Sequence, residues 1–557
     1  MTDELHPSLA ERQLRSRNEI GIKVMPPLGP RRPVSQNRFA GVIGIVPWKL
    51  DVRDPATLAA GVLARLGRHL PVPDLHFFGE LREFAYHRFK SRYKPLDVDV
   101  DLTPETYLPQ TNYSAKRIQS LIAKWNDMPF DDVTPEFFAD LMRCGIFGKD
   151  EFYLEPKFVR LIAARHDLLL LFLGPAVKAV EKEIFKSPHF IKKIPTHERP
   201  EYIERQLAEG EVPAVFEGDD GLGKHNGKIV GTDWTSFEVV FRQSIAVLGS
   251  DLMTYMLSNF LVELRRLNTA CWTGSWGRAK LMLVCFVMLI RNSGDLITSL
   301  INGYSNAIIW EFLHVKFPDR DLTTEDFARL GGICKIDISE TVGEASFCGM
   351  MYDEGGKQMI RDAAPVIAKI GWCPLRYVGT SDVVHLQLLK LRLLSLGHEM
   401  GKCPILWAYA RQGLYKLRNV RIRQSILDGL DVYEKERVHA ALDAYGKSSV
   451  GIDGFMPEIM SEPTQATREL YSHCFGVDVP TQLSLEASFA SMDYRIPNHF
   501  PGLEFPDLWS DIYDEYVSDC PSPCDYWMPF RPELATQKLD LSAPSPKIRT
   551  SEWITQT

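Results

Sequence analysis

Val212-Pro213-Ala214-Val215-Phe216-Glu217-Gly218-Asp219-Asp220-Gly221-Leu222-Gly223-Lys224-His225-Asn226-Gly227-Lys228-Ile229-Val230-Gly231-Thr232-Asp233-Trp234-Thr235-Ser236-Phe237-Glu238 is the stretch on which the fold turns. An apolar run, Pro213 to Phe216, rises into Gly218-Asp219-Asp220-Gly221, a turn sequence. A short return segment then reaches Asn226-Gly227, the strongest short-range hairpin signal, and Lys228 to Thr232 rises again. The return and rising segments are nearly equal in length. They predict a three-stranded meander that brings Asp233 level with Asp219 and Asp220 at one end of a sheet. Three carboxylates so placed suit two hard divalent cations, which take oxygen ligands and sit about 3.5–4 Å apart to clamp an in-line phosphoryl transfer. By itself Gly-Asp-Asp-Gly also describes an exposed acidic turn. A calcium loop is a poorer reading, because the alternating Asp spacing and closing Glu of an EF-hand are missing.

A second run gives the turn its meaning: Arg291-Asn292-Ser293-Gly294-Asp295-Leu296-Ile297-Thr298-Ser299-Leu300-Ile301-Asn302-Gly303-Tyr304-Ser305-Asn306. Ser293 and Asp295 could simply cap a helix. The run also resembles motif B of positive-strand RNA virus polymerases, in its tombusvirus-like form, with Asp after Ser-Gly and Thr-Ser before Asn. The resemblance implies a bend at Gly294 followed by a helix whose polar face handles the incoming nucleotide. Ser293, Gly294, Thr298 and Asn302 would then meet the sugar and its 2′-hydroxyl, the group that tells RNA from DNA. Thr232-Asp233-Trp234-Thr235-Ser236-Phe237-Glu238 resembles motif A. Asp233 would bind both metals, and Glu238 would contribute to ribose selection, in a position where many such polymerases carry Asp.

Flanking segments extend the likeness over roughly residues 110 to 410. Pro156-Lys157-Phe158-Val159-Arg160-Leu161-Ile162-Ala163-Ala164-Arg165 resembles motif F of the fingers. Lys157, Arg160 and Arg165 would neutralise the triphosphate, as positioned cations do in phosphoryl transfer; solvated side chains are the alternative. Gly174-Pro175, Lys178, Glu181 and Phe190-Ile191-Lys192-Lys193 fit the segment that leads to motif A, with Arg199 as a further channel residue. Phe327 to Lys335 resembles motif D, which makes Lys335 the candidate proton donor to pyrophosphate. Glu344-Ala345-Ser346-Phe347-Cys348-Gly349 resembles motif E, the primer grip formed by Ser346, Phe347, Cys348 and Gly349. Cys348 there also reads as small core packing. The interval after motif B, from Ile308 to Asp321, holds no acidic hairpin. The motif order is therefore C, A, B, D, E, similar to the permuted palms of birnaviruses and permutotetraviruses.

The resemblance implies an α+β right-hand polymerase with fingers, palm and thumb, its palm an antiparallel sheet backed by helices. The expected parts are a flexible N-terminal arm over 1–37, fingers over 38–210, and palm over 211–250 and 291–370. A fingers insertion would occupy 251–290, a helical thumb 371–495 and a C-terminal tail 496–557. Helices are predicted over Ser114 to Trp125, Pro135 to Cys144 and Ala176 to Phe185, and through most of 381 to 445. The activity implied is RNA-directed RNA synthesis with two Mg²⁺ ions, for which Mn²⁺ may substitute. The metals would rest on Asp233 and Asp219 with the help of Asp220.

Bulk composition leaves these expectations open. With 64 basic and 72 acidic residues the chain carries a net charge of −8, which excludes coating nucleic acid by bulk charge but not a locally basic channel. Ten cysteines are scattered, only Cys520 and Cys524 lying close together, a pattern of free thiols in a reducing compartment. The most apolar run, Leu281 to Ile290, is about half the length a membrane span needs. Expected partners are template and product RNA, nucleoside triphosphates, and viral or host membrane-associated replication proteins in the host cytoplasm; association with the virion is a further option. Two rivals stand beside this reading. One is a reverse transcriptase, disfavoured by the Ser-Gly-Asp-Leu-Ile-Thr-Ser run and the lack of Tyr-x-Asp-Asp. The other is a catalytically silent RNA-binding or scaffold protein of the same fold.

Overall fold

The computed structural model describes residues 20–24, 33–66, 68, 70–111, 113–128, 141, 144–155, 157–195, 198–240, 245–263, 275–279, 283–287, 297–444, 460–511, 513, 526–527 and 548–549. The chain is α+β, and its strands fall into small sheets. The helices that matter below are α1 (Pro55–Gly61), α2 (Leu75–Arg92), α3 (Asp167–Ile184), α4 (Thr298–Lys316), α5 (Asp382–Glu399) and α6 (Leu406–Lys416). The first three start on a side-chain cap, while α4, α5 and α6 have none. Asp54 accepts from the Thr57 amide before α1, and Asp74 accepts from the amides of His76 and Phe77 before α2. Ser114 likewise caps the helix Ala115–Asn126, where one was expected.

The decisive stretch folds as the meander that its turn signals predict. Strands β1 (Ala214–Glu217), β2 (Asp220–His225) and β3 (Lys228–Trp234) form an antiparallel meander, and β4 (Cys334–Ser339) closes the sheet in the order β4-β3-β2-β1. Asn226 and Gly227 both have positive φ, 49° and 78°, the conformation of a type I′ hairpin turn. Gly218 alone turns the first hairpin with φ 65°, the Gly-first pattern of type II′.

Successive side chains of a strand point to opposite faces, so this sheet builds two cores. Ala214, Phe216, Trp234 and Cys334 face one core with α2, α3 and α4. Val215, Leu222 and Ile229 face another, covered by Ile203 and Leu207 of the helix Arg199–Glu209 and by the small sheet β5 (Ser346–Phe347), β6 (Met350–Asp353) and β7 (Gln358–Ile360). A Cβ at Gly223 would come within 2.3 Å of the Trp310 ring, so glycine there lets α4 lie against the sheet. α2 clamps α4 from outside. Arg88 Nε and Arg92 Nη1 reach the buried Glu311 carboxylate at 3.0 and 2.7 Å.

A separate sheet takes strands from distant parts of the chain, in the order 548–549, 20–24, 283–287, 275–279, 144–148, 161–165. It is mixed, with parallel pairing between 20–24 and 548–549 and between 275–279 and 144–148.

Several expectations need correction. The N-terminal arm is not wholly a free tail: Ile20–Val24 is a strand paired with Leu283–Val287, and Val34 to Asn37 are buried. Ile-Gly-Ile-Lys-Val carries strand alternation, which the polar and proline-rich residues around it mask. The C-terminal tail begins later than residue 496, because Phe500, Leu503 and Trp509 lie in the largest core and Trp509 Nε1 donates to the Tyr153 carbonyl at 3.0 Å. That core joins Val34–Val62, Cys144–Ala163 and Ile360–Trp509, so the segments expected to form fingers and thumb share one interior. The helix expected from Ala176 starts earlier, at Asp167, and carries Pro175 within it. Most of the helix expected over Pro135 to Cys144 lies outside the described residues, and Cys144 itself opens a strand. Residues 381 to 445 are helical as expected, through α5, α6 and the helices Gln424–Gly429 and Val432–Ala444. Among the described residues no helix is long and apolar enough to cross a membrane.

Candidate active site

Cross-strand register assembles the site. Glu217 lies opposite Asp220, Asp220 opposite Asp233, and Asp233 opposite Lys335. Residues directly opposite in antiparallel strands share a face, so these four side chains form one row across β1 to β4, with Asp219 in the turn beside them. Asp219 and Asp220 are partly buried, while Asp233 and Lys335 are exposed. Lys335 lies within β4 rather than after a strand.

Crowding of like charges marks the carboxyls. Burial raises the Asp220 pKa to about 7, with Asp219, Asp233 and Glu217 adding repulsion and a hydrogen bond from Cys348 opposing it. Asp219 is also raised, first by burial and then by Asp233 and Glu238, while its own backbone amide and the Arg160 guanidinium work the other way. Desolvation and like charges both favour the protonated acid. A divalent cation would reverse both effects, and the oxygen-only donor set suits Mg²⁺. Among the described residues no three His, Cys, Asp or Glu side chains already stand at ligand spacing around one point. A cation held there would have to draw carboxylates inward.

The motif-B-like helix braces the row. Asn306 of α4, 1% exposed, accepts from Trp234 Nε1 at 2.8 Å. Its amide nitrogen donates to the carbonyls of Asp220 at 3.1 Å and Gly218 at 3.4 Å. One side chain therefore ties the acidic turn and the end of β3 to α4. Thr298 and Asn302 lie two turns and one turn N-terminal to it on the same helix face. Asn302 Oδ1 is shielded from solvent and has no hydrogen-bond partner in the structure. Lys192 Nζ donates to Ser299 Oγ at 2.6 Å and pairs with Glu181 at 3.4 Å, and Lys178 joins that carboxylate at 2.7 Å. Ser293 and Gly294 lie outside the described residues.

The remaining expected residues divide. Glu238 pairs with Arg65 at 3.1 Å. Arg160 stabilises the Asp219 carboxylate and lies 3.7 Å from Glu151. Lys157 pairs with Glu155 at 3.1 Å, and Arg165 ends its strand opposite Cys144. Arg199 pairs with Glu217 at 2.7 Å, at the end of the row. Cys348 packs against the core of the small sheet, as expected, and also meets the row. Cys348 and Gly349 turn the β5–β6 hairpin with φ of 53° and 71°, which carries the thiol to 3.8 Å from Asp220 and 3.9 Å from Glu217. Burial and those two carboxylates push the Cys348 pKa up. Sequence reasoning missed Asn306, Arg65 and Arg68. Asn306 left a faint signal, one helical turn after Asn302; the arginines left none.

Compared with protein-family models and with curated protein sequences, the chain matches none.

Proposed function

We propose that the chain is an RNA-directed RNA polymerase with a permuted palm, in which β1 to β3 carry motifs C and A in direct succession. The observation that carries this reading is the register that sets Asp220 opposite Asp233, with Asp219 in the adjoining turn. Its neighbourhood adds support: α4 is bonded to the same turn through Asn306, and Lys335 stands beside Asp233.

In this reading Asp233 and Asp219, helped by Asp220, would hold two Mg²⁺ ions, or Mn²⁺ in their place, which when bound would supply activation of the primer 3′-hydroxyl and charge stabilisation for the leaving pyrophosphate. Asn302, with its unpaired Oδ1, and Thr298 accept the ribose hydroxyls, and Glu238 borders the same sugar. Lys335 delivers a proton to the leaving group. The Ser346–Gly349 hairpin tip steadies the primer strand against the row. Template and product RNA and nucleoside triphosphates are the partners. Attachment to a membrane in the host cytoplasm would fall to other viral or host proteins.

Primer extension on an RNA template with Mg²⁺ or Mn²⁺ tests the proposal, comparing the wild type with Asp219→Ala and Asp233→Ala. Ribonucleotide incorporation by the wild type is expected, with a loss of at least about a hundredfold in each variant, the scale of removing one electrostatic stabiliser of a transition state. Unimpaired Asp219→Ala would remove the acidic turn from the site. A folded wild type that binds RNA and never extends it would favour the silent scaffold.

A further inference from the structure

The N-terminal segment brings two arginines to the edge of the acidic row, and one of them has nothing to hold. α1 is seated tightly on the segment leading into strand Leu161–Arg165: a Cβ on Gly61 would lie 2.5 Å from Val159 Cγ1 and 2.9 Å from the Val159 carbonyl oxygen. Leu58, Val62 and Val159 are all buried in that contact region. The helical turn that follows, Val62–Leu66, therefore has a fixed place beside Arg160. From it Arg65 reaches Glu238 at 3.1 Å. Three residues on, Arg68 stands close enough to feel both the Arg65 charge and the Glu238 charge. Its Nε is sealed from solvent and has no hydrogen-bond partner.

A guanidinium carries five donors in a rigid fork that fits phosphate oxygens two at a time. An arginine nitrogen shut off from water is ordinarily paired, and Glu238, the nearby carboxylate, is already engaged by Arg65. Among the described residues, Arg65 thus holds the acidic group whose charge reaches Arg68, and Arg68 Nε is left without a partner. Arg160, acting on Asp219, supplies a further positive charge at the same edge. Phosphoryl transfer needs cations of this kind around the departing phosphates.

We propose that Arg68 is a phosphate-binding residue for the triphosphate of the incoming nucleotide, kept open by the Arg65–Glu238 pair. This rests on the polymerase reading for the identity of the nucleotide, though not for the anion site itself. RNA backbone phosphate offers the same chemistry. The location beside Glu238, on the ribose side of the row, favours the triphosphate.

The test measures binding of inorganic tripolyphosphate and, separately, of a single-stranded RNA oligonucleotide to the full chain, with and without Mg²⁺. Wild type, Arg68→Ala, Arg68→Lys and the exposed control Arg495→Ala are compared. The expected result is a loss of tripolyphosphate affinity of at least about tenfold in Arg68→Ala, the scale of one charge-assisted bond. Arg68→Lys should recover part of it, and Arg495→Ala should match the wild type. If Arg68→Ala does not fold, Arg68→Lys decides, because a lysine lacks the bidentate fork and must bind measurably more weakly than the wild type. No tripolyphosphate binding by the wild type, or unchanged binding in the Arg68 variants, overturns the proposal. So does a loss confined to the oligonucleotide. Weakened tripolyphosphate binding beside a wild type that never extends a primer would uphold the anion site and sink the polymerase reading alone.

Discussion

Asp220 shows how a single residue reports on its surroundings. Its carboxyl titrates near 7 because burial and three neighbouring carboxylates disfavour its charge. An Asp whose folded pKa lies above its unfolded value is most favourable to the fold while protonated. The linkage then lowers stability as pH rises from the ordinary Asp range to about 7, and the penalty is complete above that. Without divalent cations, the melting temperature should fall between about pH 4 and pH 7, and Asp220→Asn should flatten that fall. Added Mg²⁺ competes with the proton, so its stabilising effect should grow with pH and level off above about 7. Melting curves across that range, with and without Mg²⁺, check both statements. A pH-independent effect of Mg²⁺ would disconnect Asp220 from the cation. The acidic residues themselves were legible in sequence, since a two-residue turn at Asn226-Gly227 fixes register locally. Their perturbation was not, because it depends on Glu217, Cys348 and Glu238 closing in from three elements.

Among the elements, α4 is the one that makes the sheet a site. Its face toward the sheet is set by Trp310 against Gly223 and by Asn306 against the turn, and α2 fixes it from behind through Glu311. Asn306→Ala should orphan the Trp234 indole N–H and the Asp220 carbonyl, at a cost of about 1–3 kcal/mol for each buried group. Urea unfolding should report that loss. In primer extension, kcat should fall and more Mg²⁺ should be needed, with RNA affinity held near the wild-type value. A variant that is merely less stable, with unchanged Mg²⁺ dependence below its melting point, would reduce Asn306 to a structural bond. The helix could be read from its motif and length. Its bonds could not, because Asn306 and Asp220 are 86 residues apart and a periodic pattern says nothing about which distant carbonyl an amide meets. Arg65 and Glu238 are separated by 173 residues, and there the sequence offered no hint at all.

At the scale of the whole molecule, the two halves differ in how far along the chain their cores reach. The core around α2, α3 and α4 draws on Phe77 through Cys334, whereas the largest core spans Val34 through Trp509. Boundaries drawn from sequence treated the ends as an arm and a tail, since short apolar stretches such as Ile20–Val24 and Leu503 to Trp509 carry too little periodicity to be assigned. Trp509 is fully buried, and Trp509→Ala should destabilise the largest core by about 3–5 kcal/mol. Chemical denaturation should show the loss, and an unchanged midpoint would return that residue to a dispensable tail.

This interweaving also dictates an order of events during synthesis. Domains generally fold as units while the chain emerges, N-terminal parts first. Here an early segment is completed late, for the amides of Ala40 and Val46 donate to the carbonyls of Tyr494 and Trp509, bonds that must wait on a ribosome until those residues have left the exit tunnel. The sheet that holds the acidic row has the interior partners of both its faces by Met359 and can condense while translation continues. A nascent chain of this protein would therefore carry an assembled acidic sheet before Ala40 and Val46 have met their last partners.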